Sequence, residues 1–461
     1  MQQGLPPPST HALATWVSGL SLDAIPLVVV DHAKNCLLDT LGCGLLGAQQ
    51  PSGQIVAAMV GETGSAGAAA LWGRTGRAGP ADAALVNGTA VHSFEFDDTH
   101  DATGLHPGAV VIPAVIAVAE QCGSTGADVL AAIIAGYEAG IRLAYATGTG
   151  VKPKGFHMTG IAGSVAAAAA ISNLLKLPPL QTAHALSIGA TQAAGLYSAR
   201  RNAMTKRLHA GKAAQNGVFA GLLAEKGFTG NLEAIEAPYG GFLSCFGEHA
   251  DAARLSSGLG EDWVIGETGF KIYPSGASTH TGIDCLDELM MAGLTAENLD
   301  RLTVHMTRHS QLGADWPLTG EHNIEAAQMN GYFVFALQLL SGEVSTRTLF
   351  ESMGSSKELM KLSKRIDILH DPSFDDLPSE LRQKVRVTAH LKSGEVMHSN
   401  RDYRVGSSKL RLSDEDIAQK LSELLANVSP GVDPEELIGT VRSLEACKHL
   451  GSAISRYVGR K

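Results

Sequence analysis

The chain has 461 residues, 44% hydrophobic and 18% charged, with 52 glycines and a formal net charge of −10 at pH 7. This length gives two or three domains' worth of core, the apolar content excludes a disordered chain, and the acidic balance argues against a nucleic-acid partner, which needs a basic face. The balance is uneven: Ala139 through Ala224 contains no Asp or Glu but holds Arg142, Lys152, Lys154, Lys176, Arg200, Arg201, Lys206, Arg207 and Lys212, leaving 27 cations against 46 anions elsewhere.

The first residues lack the basic start and apolar run of a secretory signal. The longest apolar stretch, around Ala109–Ala119, is interrupted by Pro113 and falls short of the roughly 20 residues of a membrane span. Cysteines at 36, 43, 122, 245, 285 and 447 form no Cys-x-x-Cys pair and no zinc-finger tract. The expectation is a cytoplasmic protein with reduced thiols and no membrane partner.

Helical spacing runs through Ile25–Gly47, Ala81–Glu95, His106–Cys122, Ala127–Thr147, Gly160–Leu177, Leu180–Ala194 and His209–Lys226. Runs such as Val165–Ala170 have no polar face, which predicts helices buried on most sides, with Gly and Ala permitting close backbone approach. After about Glu267 the texture changes. Leu302–Met306 and Arg365–Leu369 alternate, and Lys384–Lys392, Ser393-Gly394 and Glu395–His398 read as a hairpin. Thr279–Ala292 and Glu325–Leu340 are helical between them, and Ser413–Leu425 and Pro434–Tyr457 return to amphipathic helix with acidic starts. The expected fold is mainly α: a large all-helical domain (1–267 plus 405–461) with an inserted smaller α+β lid domain (268–404).

Four segments carry residues suited to chemistry. His92-Ser-Phe-Glu-Phe-Asp-Asp-Thr-His-Asp-Ala-Thr-Gly-Leu-His106 packs Glu95, Asp97, Asp98 and Asp101 with His92, His100 and His106 into fifteen residues. It reads as acid–base machinery, as a divalent-metal site, or as a helix end with solvated acids. Lys154-Gly-Phe-His-Met-Thr-Gly160 places His157 in a glycine-bounded loop before a helix, where backbone N–H groups attract anions. Ser198-Ala-Arg-Arg-Asn-Ala-Met-Thr-Lys-Arg-Leu-His-Ala-Gly-Lys212 sets cations ahead of a helix start, as either a solvated face or a cleft for a polyanion such as a di- or tricarboxylate. Phe270-Lys-Ile-Tyr-Pro-Ser-Gly-Ala-Ser-Thr-His280 puts Lys271 beside a Pro/Gly loop. No Walker A sequence, dinucleotide fingerprint or Gly-x-Ser-x-Gly elbow occurs.

In this order, Ala84-Leu-Val-Asn-Gly-Thr-Ala, Glu95-Phe-Asp-Asp-Thr, His106-Pro, Gly155-Phe-His, Met204-Thr-Lys-Arg-Leu-His-Ala-Gly-Lys-Ala-Ala-Gln-Asn-Gly and Lys271-Ile-Tyr-Pro resemble the MmgE/PrpD family over nearly the whole chain. The long block from Met204 is specific. The resemblance implies a cofactor- and metal-independent lyase, usually a homodimer, acting on a small di- or tricarboxylate. Family members dehydrate 2-methylcitrate, decarboxylate cis-aconitate or epimerise iminodisuccinate. Dehydration is the leading expectation, with decarboxylation and epimerisation as alternatives; a non-catalytic organic-anion-binding protein is the alternative of another class. Carried over residue by residue, the catalytic positions are Thr99, His106, His157, Lys206 and Lys271. Glu95, Asp97, Asp98, Arg207, His209, His280 and Tyr332 are expected at the substrate. One departure stands out: Phe333, next to Tyr332, occupies the place where decarboxylase relatives carry a lid-helix tyrosine.

Overall fold

The computed structural model describes residues 7–201, 203–317, 323–353, 356–429 and 431–459. The protein is mainly α, 59% helical with 10% strand. It divides into two compact units, one comprising the chain up to Ser198 with Thr205–Thr268 and the C-terminal segment from Ser413, the other Ala199–Met204 with Gly269–Leu412.

The first unit is built from α1 (Pro8–Gly19), α2 (Leu27–Gly47), α3 (Pro51–Thr63), α4 (Pro80–Val91), α5 (Gly108–Cys122), α6 (Gly126–Thr147), α7 (Met158–Leu174), α8 (Pro179–Thr191) and α9 (Thr205–Glu225). Every residue of α7 is buried, because its face-free run of alanines packs against α6, α8 and α9 at once. The helix α6 is long and apolar enough, by length and composition, to cross a membrane, which the sequence reading did not anticipate. In the fold 94% of that window is buried inside the protein, so its hydropathy is that of a core helix.

Close approach depends on glycine. A Cβ added at Gly217 on α9 would sit 2.2 Å from the Ala167 Cβ and 2.8 Å from the Ala168 backbone nitrogen on α7.

Among the boundaries that differ from the sequence reading, three are instructive. The helix expected from His209 begins at Thr205, so Lys206 and Arg207 lie in its first turn rather than ahead of it. The helix expected over Glu325–Leu340 is two, Ile324–Met329 and Gly331–Ser341, because the extended Asn330 (φ −98°, ψ 116°) accepts the Phe333 N–H with its side chain and starts a new helix. The expected Pro434–Tyr457 helix stops at Arg442 and continues as short turns.

In the second unit, α10 (Ala277–Met291) and α11 (Gly331–Ser341) accompany a four-stranded sheet of β1 (Leu299–Met306), β2 (Ile366–His370), β3 (Val385–Leu391) and β4 (Val396–Arg401). The strand order is β2-β1-β3-β4. The β1–β2 pairing is parallel and the other two antiparallel, with Leu302 opposite Ile366 and Val304 opposite Val387. Inward residues such as Leu302, Val304, Val385 and Val387 join Ile283, Leu286, Phe333 and Phe335 in one core. In the C-terminal segment, α12 (Asp414–Val428) returns to the first unit beside α2, its start fixed by a Ser413/Asp416 capping box.

Gly217→Ala tests the α7–α9 contact. Helix propensity alone favours alanine by about 1 kcal/mol, whereas overpacking costs about 1–3 kcal/mol. Denaturant unfolding is expected to show a net loss of stability; a gain would contradict the packing described.

Candidate active site

The cluster forms where α4 ends. After Val91 the chain takes a 3-10 turn over His92–Phe94, and Glu95 then adopts the left-handed conformation (φ 54°, ψ 33°). That backbone is uncommon for a residue with a side chain and costs about 1–3 kcal/mol. It turns the Glu95 carboxylate onto two cations in the first turn of α9, Lys206 and Arg207, both of which donate to Oε1. All three side chains are buried. The preceding turn points His92 inward as well: Lys206 Nζ donates to His92 Nε2 at 3.1 Å, and His92 Nδ1 lies 2.7 Å from Asp97 Oδ2. An ammonium only donates, so His92 Nε2 accepts and its Nδ1 carries the proton given to Asp97.

His106 stands at the other end of the same loop. Its Nδ1 lies 2.8 Å from the Asp98 carbonyl and 3.4 Å from Asp97 Oδ2, and its backbone N–H donates to Thr159 Oγ1 at 3.1 Å. His157 caps the start of α7, its N–H held by the Gly195 carbonyl, with its Nδ1 3.2 Å from His209 Nδ1 on α9. Ring centroids of His92 lie 4.9 Å from His106 and 5.7 Å from His157.

Burial, then the nearby Lys206 charge, pushes His157 well below the usual imidazole range. Burial also lowers His92 against the opposing pull of Asp97, and takes His209 down to about 4. These rings are uncharged at neutral pH, which makes them proton acceptors.

The acids of the loop face protein rather than the middle of the cluster. Asp97 braces His92 and His106. Asp98 accepts Tyr137 Oη–H at 2.7 Å and the Gly108 N–H at 3.0 Å, and burial followed by the neighbouring Asp39 raises its carboxyl to about 8. Behind the loop, Lys420 of α12 donates to Asp39 Oδ1 at 2.6 Å and to the Phe96 carbonyl at 2.7 Å.

The expected site residues therefore fall into groups. His106, His157, Lys206, Arg207, His209, Glu95 and Asp97 come together, and Asp98 supports them. Thr99 is buried in the loop, and the His106 backbone N–H donates to the hydroxyl of a different threonine, Thr159. Lys271 and His280 are buried in the second unit, and the Tyr332 hydroxyl there donates to Asp315 at 2.8 Å. Phe333, fully buried in that unit's core, is a packing residue.

His92 and Lys420 carry no assigned role in the sequence reading. The signal for His92 was its place at the head of the His/acid segment; nothing local marks Lys420. The acid-free stretch does not converge as a whole. Lys206 and Arg207 reach the cluster, while Arg142 pairs with Glu138 and Lys176 with Asp128; Arg200 belongs to the second unit, where it donates to the Gly313 carbonyl.

His92, His106 and His157 each bring a ring nitrogen within 4.8 Å of the others, all buried. The donors would suit a divalent ion. Lys206 already occupies the His92 nitrogen, however, and its charge opposes a second cation.

Buried neutral imidazoles surround a paired ammonium in a mainly helical scaffold. Residues 11–254 match the MmgE/PrpD N-terminal domain and residues 273–446 the MmgE/PrpD C-terminal domain, and the chain belongs to this family of lyases. It is 29% identical to a cis-aconitate decarboxylase-like protein of Aspergillus oryzae over 98% of this chain and 97% of that one. It is also 29% identical to human cis-aconitate decarboxylase, over 95% and 92%. Identity to the 2-methylcitrate dehydratase of Escherichia coli is 25%, over 75% of this chain and 74% of that enzyme.

Asp98 gives a pH test. Its ordinary carboxyl value is 3.8 and its folded value about 8. Between these the folded protein holds a proton that the unfolded chain releases, so this group's stabilisation is complete below about 4 and is lost as pH rises through 8. The lowered histidines act oppositely, their stabilisation present above about 6.5 and lost as pH falls towards 4. From pH 6.5 to 8.5 the histidine contributions are the same in the unaltered protein and in an Asp98 variant, so they cancel in the comparison. Asp98→Asn is expected to lose about 1–2 kcal/mol less than the unaltered protein over that window, at about 1.4 kcal/mol per pH unit. Parallel stability–pH curves would contradict the assignment.

Proposed function

We propose that this lyase acts on a small tricarboxylate, and that its reaction is decarboxylation of a cis-aconitate-like substrate. The observation that carries this reading is the coverage of the relatives: decarboxylases align over 95–98% of the chain, the dehydratase over 75%. Dehydration of a methylcitrate-like hydroxy acid, the leading expectation from the sequence, becomes the second reading, and it draws on the same bases.

In decarboxylation the carbon–carbon bond to one carboxylate breaks, carbon dioxide departs, and the electron pair spreads towards a remaining carboxylate before a proton returns to carbon. The Lys206 ammonium, fixed by Glu95 and His92, suits stabilisation of that developing negative charge. The neutral His157 suits a base, and would be required as one if the substrate instead loses water. His106, oriented by Asp97 and the Asp98 carbonyl, is the remaining imidazole for proton return. Lys271, Thr99, His280 and Tyr332 keep the roles that the resemblance implies, and Glu95 and Asp97 act by holding cation and imidazole. A homodimer working without metal or organic cofactor completes the proposal.

The test is a panel of di- and tricarboxylates with products identified by NMR, using protein treated extensively with EDTA. Turnover of cis-aconitate with release of carbon dioxide is expected, and His106→Ala, which removes the imidazole for proton return, is expected to lower kcat at least ~100-fold. Water loss from 2-methylcitrate without decarboxylation would establish the second reading. No turnover of any member would contradict both, and full activity of His106→Ala would remove the role given to it.

A further inference from the structure

His92 is fully buried and makes two directional bonds along one line. Its Nδ1 meets Asp97 Oδ2 at 2.7 Å and its Nε2 meets Lys206 Nζ at 3.1 Å. This is the order of a carboxylate–imidazole pair presenting a neutral nitrogen to a third group, with an ammonium in the third place. The same Asp97 oxygen lies 3.4 Å from His106 Nδ1, so one carboxylate sets both imidazoles.

We propose that His92 is a positioning residue for Lys206: braced by Asp97, it supplies the acceptor that aims the ammonium and keeps it protonated. The consequence for turnover rests on the lyase reading above; the effect on Lys206 does not.

The charged and titratable groups around Lys206 come from each element packed on it. Glu95 follows the 3-10 turn, Arg207 and His209 lie on α9 itself, and His157 stands at the start of α7. Glu95 answers the charge of two cations at once, so it does not by itself decide where the ammonium points. His209 and His157 are neutral, and His157 keeps its Nδ1 on His209. His92 is a neutral imidazole in direct hydrogen bond to Lys206, with its other nitrogen fixed by a carboxylate. An acceptor bonded to the charged form of a lysine raises its proton affinity. Removing it therefore makes Lys206 lose its proton at lower pH.

The test needs no substrate. The unaltered protein, His92→Phe, His92→Gln and Asp97→Asn are labelled with limiting acetic anhydride from pH 7 to 11, and Lys206 acetylation is read by peptide mass spectrometry against the exposed lysines. The Lys206 midpoint is expected to fall by about one pH unit, a tenfold loss of proton affinity, in His92→Phe. His92→Gln, whose amide oxygen still accepts, should recover part of the shift, and Asp97→Asn should move it the same way as His92→Phe. An unchanged midpoint in folded His92→Phe, or equal shifts in His92→Phe and His92→Gln, would overturn the proposal. If circular dichroism shows that His92→Phe does not fold, Asp97→Asn decides, and an unchanged midpoint there overturns it. On the substrate turned over, His92→Gln should lower kcat more than it raises KM. Failure of the substrate assignment would appear as absent turnover with the labelling shift intact, so the two failures are distinguishable.

Discussion

A lysine ammonium buried among uncharged imidazoles is the constraint on which the rest of the site depends. An ion taken from water must be paired and hydrogen-bonded, and removing its partner typically costs about 3–5 kcal/mol. Lys206 and Arg207 are buried side by side in the first turn of α9, where the helix dipole adds further positive potential. Glu95 answers both at once. To reach them the chain must leave α4 at Val91, tighten into a 3-10 turn and pass through the left-handed region at Glu95. The strained residue and the buried ion group thus sustain one another. Lys420 secures the loop from behind through Asp39 and the Phe96 carbonyl.

Chemistry follows from the same burial. A desolvated site that already contains a cation disfavours a second one, and this holds His92, His157 and His209 in their neutral forms. In the proposed function, charge developing on a substrate carbon next to a carboxylate would meet one fixed ammonium and several proton acceptors, with little solvent to reorganise. The loop acids do not undo this, because their carboxylates are turned onto His92, His106, Tyr137, Lys206 and Arg207.

Much of this was legible in the sequence because periodicity and composition carry it. The alanine run of α7 announced burial on all sides, and the alternation of Val385–Leu391 announced a half-buried strand. What was not legible depends on partners distant in the chain or on polar local geometry. Thr205-Lys-Arg has no apolar period, so the true start of α9 was invisible. Asn330 broke a helix whose apolar spacing continued across it, because its side chain competes for a backbone N–H. The sequence reading took α6 as an ordinary helix and passed over its span-like hydropathy, which its burial in the core accounts for. His106, His157 and Lys206 stood out by motif, whereas the inward turn of His92 follows only from the backbone after Val91. Lys420 acts on a loop more than 300 residues away. The acid-free stretch marked the right region but overstated its unity, since burial and pairing sent its cations to different places.

The proposed function requires that this cluster move a proton at a carbon next to a carboxylate. The most direct measurement is turnover of cis-aconitate in D2O, with the products followed by NMR and mass spectrometry. The predicted result is loss of one carbon dioxide with one deuterium placed stereospecifically on a carbon next to a remaining carboxylate, abolished in Lys206→Met. Carbon dioxide release without deuterium at that carbon, or unchanged turnover by folded Lys206→Met, would contradict it.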